Sequence, residues 1–213
     1  MEDLIRLLIA NKRIVNNKKN NLELTKEEAH YLNNVMRIKT GKEIFVTNGE
    51  GLLWKAKKVT KDFIEIIRLE KPYLFKKKDT FLLGIAVVIP KNGFEDILRM
   101  CTEIGIDFIQ PLFSERQINK NLNFSRKLSR WNTIIKESVE QSERLWKPSI
   151  LNGIDIINWI EEKDNQDTFS ISVTRDDSFD YLNKWLKKQH EVLDKKNGVL
   201  WNCLLYTSPS PRD

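Results

Sequence analysis

FLLGIAVVIPKNGFEDILRMCTEIGIDFIQPLFSERQ, residues 81–117, opens on an almost unbroken apolar run from Phe81 to Ile89. The run is too short to cross a membrane and too uniform for a strand with one wet face, so it predicts a strand buried on both faces, as in a parallel sheet. Pro90, Asn92 and Gly93 then interrupt it. Phe94, Ile97, Leu98 and Cys101 follow at the spacing of one helix face, and Gly105 supplies a helix stop. Apolar chain resumes at Ile106, Phe108 and Ile109 before Pro111. The pattern is strand, helix, strand. Open α/β sheets bind ligands beyond the carboxyl ends of their strands, a rim occupied here by Pro90–Gly93 and Ser114–Gln117. Lys91, Glu115 and Arg116 are the chemically capable residues on it.

Working outward, the segment after residue 117 continues the alternation. Arg126–Trp146 has the longest helical period in the chain, with Leu128, Trp131, Ile135, Ser138, Val139 and Leu145 on the inward stripe and Pro148 closing it. Its other face carries Glu137, Gln141 and Arg144, and Glu140 is spaced for an ion pair with Arg144. Asp155–Glu162 reads as a helix, Thr168–Thr174 as a strand, Phe179–Leu193 as a helix and Val199–Trp201 as the start of a strand. Alternating elements extend a parallel sheet.

Residues before about Glu70 read differently, as short alternating strands: one or two within Leu4–Ile14, then Glu43–Thr47, Leu52–Thr60 and Phe63–Leu69, with Asn48, Gly49 and Gly51 in a turn. Thr25 with Glu28 is a capping box opening a helix that carries Ala29, Leu32, Val35 and Met36. Several short strands and one helix predict a small closed β-barrel. Arg6, Arg13, Arg37, Lys39 and Lys42 suit phosphate contacts, while Trp54 fits either a base-stacking position or the core. Lys71–Thr80, with Pro72 and three consecutive lysines, is the expected boundary, giving domains at 1–72 and 80–202.

The chain has 213 residues, enough to bury one large core or two small ones. Its 36 Lys and Arg against 30 Asp and Glu leave a net charge of +6, which favours an anionic partner such as nucleic acid, although lysine-rich surface accounts for the same excess. Cys101 and Cys203 alone exclude a disulfide framework and a cysteine metal site, and fit a reducing cytoplasm. Neither a secretory signal nor a transmembrane segment is evident, so no membrane association is expected.

Three stretches together resemble one family: His30–Gly51, HYLNNVMRIKTGKEIFVTNGEG; Lys91–Arg116, KNGFEDILRMCTEIGIDFIQPLFSER; and Arg130–Arg144, RWNTIIKESVEQSER. They are similar to the 16S ribosomal RNA uridine N3-methyltransferases of the knotted SPOUT superfamily. The resemblance implies a PUA-like RNA-binding barrel followed by a methyltransferase domain, S-adenosylmethionine as cofactor, 16S ribosomal RNA or the small ribosomal subunit as partner, and a homodimer. It implies Arg116, Gln141 and Arg144 at the reaction, and Arg37, Lys39 and Lys91 on RNA. Glu103 or Glu140 is placed to accept a proton, or to serve structure alone. The family's Gly-Pro-Glu-Gly-Gly loop after the last strand is not in this sequence, so the cofactor-binding residues are not assigned. Cys203–Asp213, CLLYTSPSPRD, resembles translated adapter sequence and is expected to be a non-native tail, leaving the chain inactive. The rival readings are an RNA-binding module without catalysis and a knotted methyltransferase acting on transfer RNA.

Overall fold

The computed structural model describes residues 5–17, 20–79, 82–114, 124–162, 168–172, 184, 187 and 199–204. The chain divides into two compact units, one of residues 1–78 with 136–147 and the other of residues 79–135 with 148–213.

The second unit realises the strand–helix–strand reading. Strand β7 (Leu82–Val88) leads to helix α3 (Phe94–Ile104) and strand β8 (Phe108–Phe113). β7 pairs in parallel with β8 on one side and with β12 (Val199–Leu204) on the other, and β12 pairs with β11 (Thr168–Ser172). Ala86 and Val87, adjacent in β7 and therefore on opposite faces, are both fully buried, and this covering of both faces explains the lack of polar alternation. Gly84 is required there by packing: a Cβ would lie 2.4 Å from the Trp201 ring, which occupies the space instead. α3 ends as its glycine predicts. Gly105 is left-handed, at φ 88°, and the Ile106 N–H bonds Cys101 O at 3.0 Å while the Gly105 N–H reaches Thr102 O at 3.2 Å.

Pro111 lies inside β8, where a missing N–H breaks a ladder. Alternation puts Ile109 and Pro111 on the same side of β8, and the Leu151 N–H bonds Ile109 O at 2.9 Å on that side. The partner strand is therefore split there into β9 (Ser149–Ile150) and β10 (Ile154–Asp155). The Gln110 side-chain amide donates to Asn152 O at 2.6 Å within this interruption. Asp155 then caps α5 (Ile156–Glu161), its carboxylate accepting the Ile157 N–H at 3.1 Å.

The first unit is a mixed six-stranded sheet built from β1 (Arg6–Leu8), β2 (Asn21–Glu23), β3 (Glu43–Thr47), β4 (Leu52–Lys58), β5 (Phe63–Ile66) and β6 (Leu74–Phe75). Pairing runs β1-β3-β4-β5-β2, with β6 on β4. Leu7, Ile14, Leu32, Ile44, Val46, Trp54, Ile64 and Ile66 form its core. Residues 11–15, where a second strand was possible, form the short helix α1 (Asn11–Val15). The capping box is present, with the Glu28 N–H on Thr25 Oγ1 at 3.2 Å and the Thr25 N–H on Glu28 Oε2 at 2.9 Å. Helix α2 (Lys26–His30) then widens into a π-helical turn at Tyr31–Val35, closed by the Met36 N–H on Tyr31 O at 2.9 Å. The wider turn shifts the helical phase, so Val35 and Met36 are exposed rather than inward.

Three further expectations change. The long helix, α4, spans Phe124–Gln141 and stops short of Trp146, because Glu143 is left-handed at φ 57°. Residues 136–147 belong with the N-terminal unit, since Glu140 takes the Leu8 N–H at 2.8 Å and Trp146 Nε1 donates to Lys76 O at 3.0 Å. Strand β12 continues through Cys203 and Leu204, two residues into the supposed tail, because their apolar side chains suit positions beside Ala86 and Val87. The rest of that tail, the helix expected at 179–193 apart from residues 184 and 187, and Glu115 to Gln117 lie outside the described residues.

Candidate nucleic-acid interface

The loop between the π-helical turn and β3 carries Arg37, Lys39 and Lys42, all exposed. Its backbone is tied at several points. The Ile38 N–H bonds Leu32 O at 2.8 Å, the Gly41 N–H bonds Lys58 O at 2.7 Å, and the Lys58 N–H bonds Lys42 O at 3.0 Å. From beneath, the Lys58 ammonium donates to Ile38 O and Asn33 Oδ1. Lys58 is 3% exposed, and burial lowers its pKa. A cation held inside to fix two acceptors is costly, so the loop it supports is strongly specified. The chemical result is a set of cations on an ordered loop, suited to polyanion backbone.

Other cations proposed for phosphates are already engaged. Arg6 is buried and donates to Glu143 O and, at 3.2 Å, to Glu143 Oε2. Arg13 donates to Glu28 Oε1 at 2.7 Å and Glu23 O at 2.5 Å. Trp54 is core, its Nε1 donating to Leu69 O at 3.0 Å, which removes the base-stacking alternative.

At the carboxyl end of β7, residues Ile89–Asp96 with Arg99, Lys127, Arg130 and Trp131 line a hollow of about 360 Å³. Lys91 sits on it, exposed. Both arginines lining it are paired: Arg130 makes a two-point bond to Glu95 at 2.5 and 2.9 Å, and Arg99 reaches Asp96 at 2.7 Å. The Arg130 hydrogen bond holds the Glu95 carboxyl below its ordinary range.

Gln141 is exposed on the last turn of α4, whereas Arg144 lies beyond the left-handed Glu143. They do not share the helix face that their spacing suggested. Glu140 is 8% exposed and points inward, where burial first and neighbouring Glu137 and Glu28 next raise its pKa to about 7 against the opposing Leu8 hydrogen bond and Lys136. It holds β1 by the backbone and is too enclosed to reach a base. Lys91 belongs to the other unit. Lys58 is the loop-supporting residue that sequence reasoning missed; its place as the third residue of an inward series with Trp54 and Ala56 was the available signal.

Comparison with known proteins resolves the family. Residues 77–200 match the model of an RNA methyltransferase domain. The chain belongs to that RNA methyltransferase family. Residues 24–67 match an RNA methyltransferase PUA domain. Ribosomal RNA small subunit methyltransferase E of Synechocystis is 31% identical over 177 residues, 80% of this chain and 55% of the relative. The Bacillus subtilis protein of the same name is 29% identical over 135 residues, 61% of this chain and 52% of its own. The chain thus spans little more than half the length of these relatives. Among solved structures, the Neisseria gonorrhoeae methyltransferase E bound to S-adenosyl methionine matches with TM-score 0.68 at 18% identity, over 94% of this chain and 80% of that one. A Legionella pneumophila protein in complex with the same cofactor matches with TM-score 0.69 at 18% identity, over 96% and 90%. At such identities the likeness is one of fold: mixed α/β with a parallel sheet.

β12 ends with Leu204 beside Val87 at the rim of the parallel sheet. The thiols Cys101 and Cys203 are buried and pushed up to about 11, which makes neither a nucleophile. Among the described residues no group of three His, Cys, Asp or Glu is placed to hold a metal, and no helix is long and apolar enough to cross a membrane.

Proposed function

We propose that this protein acts in methylation of a uridine at N3 in small-subunit ribosomal RNA, with S-adenosylmethionine as methyl donor. The observation that carries the reading is the pairing of two matches along one chain, an RNA methyltransferase domain over 77–200 and its PUA domain over 24–67. The N-terminal sheet, read as a PUA-like barrel, grips RNA through Arg37 and Lys39 on the tied loop, and Lys91 adds a cation from the parallel-sheet rim.

N3 methylation requires loss of the imino proton from the Watson–Crick edge, so the base must be unpaired or flipped. Positioned cations favour the uridine anion as it forms. Arg116 takes that role beside the base, Gln141 bonds the uracil edge and Arg144 meets a flanking phosphate. A homodimer in a reducing cytoplasm fits the relatives' ribosomal substrate. Nucleoside mass spectrometry of ribosomal RNA from cells lacking the gene tests the reading. Loss of N3-methyluridine from the small subunit, restored by the wild-type gene and not by Arg116→Ala, is expected. Unchanged ribosomal RNA with a loss in the transfer RNA fraction replaces the substrate, and no loss in either fraction leaves an RNA-binding protein without catalysis.

A further inference from the structure

We infer that Tyr73–Lys78, YLFKKK, is a second RNA-contact surface on the N-terminal unit, distinct from the Arg37–Lys42 loop, where exposed rings stack on unpaired bases and lysines meet their phosphates. By composition the segment reads as a linker, but it is fixed backbone. Leu74 and Phe75 pair with β4, the Tyr73 N–H bonds Leu53 O at 2.8 Å, and the Lys76 N–H bonds Gly51 O at 2.8 Å. On this frame the apolar side chains stay outside, with Tyr73 58%, Leu74 48% and Phe75 62% exposed. Two exposed rings two residues apart on ordered backbone mark a surface that something covers.

Charge selects the occupant. The Lys55 ammonium lies 5.0 Å from the centre of the Tyr73 ring, whose other neighbour is the Phe45 ring at 5.3 Å. Lys76 and Lys77 are exposed immediately after the rings. Exposed aromatic rings beside cations are how proteins hold single-stranded nucleic acid without reading its sequence. A second copy seated on the same strand would bring two lysine runs together, a like-charge juxtaposition that opposes pairing. The inference rests on the reading of this chain as an RNA-modifying protein.

Anisotropy of a short fluorescein-labelled single-stranded RNA titrated with the full chain across a salt series tests it. Tyr73→Ala with Phe75→Ala should weaken binding at least tenfold (about 1.4 kcal/mol, within the range for stacked bases) and leave the salt slope unchanged. Lys76→Gln with Lys77→Gln should lower that slope by roughly 1.4, about 0.7 for each single-strand phosphate that a lysine no longer neutralises. Tyr73→Phe keeps a ring and should bind as wild type. Circular dichroism melting establishes that each variant folds, and Phe75→Ala alone, at an exposed position, serves if the double variant does not. Unchanged RNA affinity in the ring variants overturns the proposal. So does self-association in sedimentation, or binding to phosphatidylglycerol vesicles, that the ring variants abolish while RNA binding persists. If the ring variants lose RNA binding but deletion of the gene leaves N3-methyluridine intact, the surface stands and the proposed reaction falls.

Discussion

The two units treat their ionic groups in opposite ways. In the N-terminal unit Lys58, Glu140, Arg6 and Glu28 are buried and spent on backbone or on side chains of the same unit, leaving Arg37, Lys39 and Lys42 exposed on a loop that the buried lysine holds. At the rim of the parallel sheet the arginines stay outside and meet carboxylates from the same unit, Arg130 with Glu95 and Arg99 with Asp96. An interior charge positions chain but is costly; a surface pair costs little and positions little. Cation availability for an anionic partner therefore follows from what lies beneath the surface, more than from the number of lysines and arginines on it.

The largest expected effect that sharpens this contrast is at Glu140. Its folded pKa, about 7, lies above the ordinary value of 4.5, so the native state binds more protons than the unfolded state between those values. Stability from this group is therefore fully present below about pH 4.5 and lost as pH rises towards 7, on the order of 3 kcal/mol for a shift of that size. Glu140→Gln should flatten that part of the pH profile in urea unfolding; a profile that keeps its slope would show the carboxyl to be solvated. Next comes Lys58→Met, which keeps volume but strips Ile38 O and Asn33 Oδ1 of their donor. A loss of about 1–3 kcal/mol is expected, with faster amide exchange in residues 36–42.

A smaller effect separates the two cation sets by function. Arg37→Ala with Lys39→Ala should lower the salt slope of single-stranded RNA binding by roughly 1.4, whereas replacing Arg99 and Arg130 should leave it nearly unchanged, since those charges are already met. Equal slopes in the two double variants would break the comparison. The smallest effect is expected for Arg130→Gln, which should not shift the melting temperature measurably, because its pair with Glu95 is at the surface.

Much of the architecture was legible in the sequence because period reports burial. The uniform run before Pro90 and the stop at Gly105 gave the strand, helix and strand, and Thr25 with Glu28 gave the cap. What failed were features set by tertiary packing or by backbone that periodicity cannot express. The π-helical turn shifted Val35 and Met36 outward, and left-handed Glu143 ended α4 before Arg144. Arg6, Arg13 and Trp54 were candidate RNA contacts by residue type, yet their partners at Glu143, Glu28 and Leu69 are distant in sequence and invisible to local spacing. Lys58 was hidden for the reverse reason: a lysine on an inward position reads as solvated surface until its partners are seen.

The interruption opposite Pro111 reaches beyond the geometry of one ladder. Among the described residues, this sheet margin is made of two-residue pieces, with the Gln110 amide bonded in the gap between them, and presents no continuous row of donors and acceptors to a neighbouring polypeptide. Parallel sheets fold slowly and are vulnerable while their borders are bare. The proline that disrupts this border thereby guards the molecule against edge-to-edge aggregation.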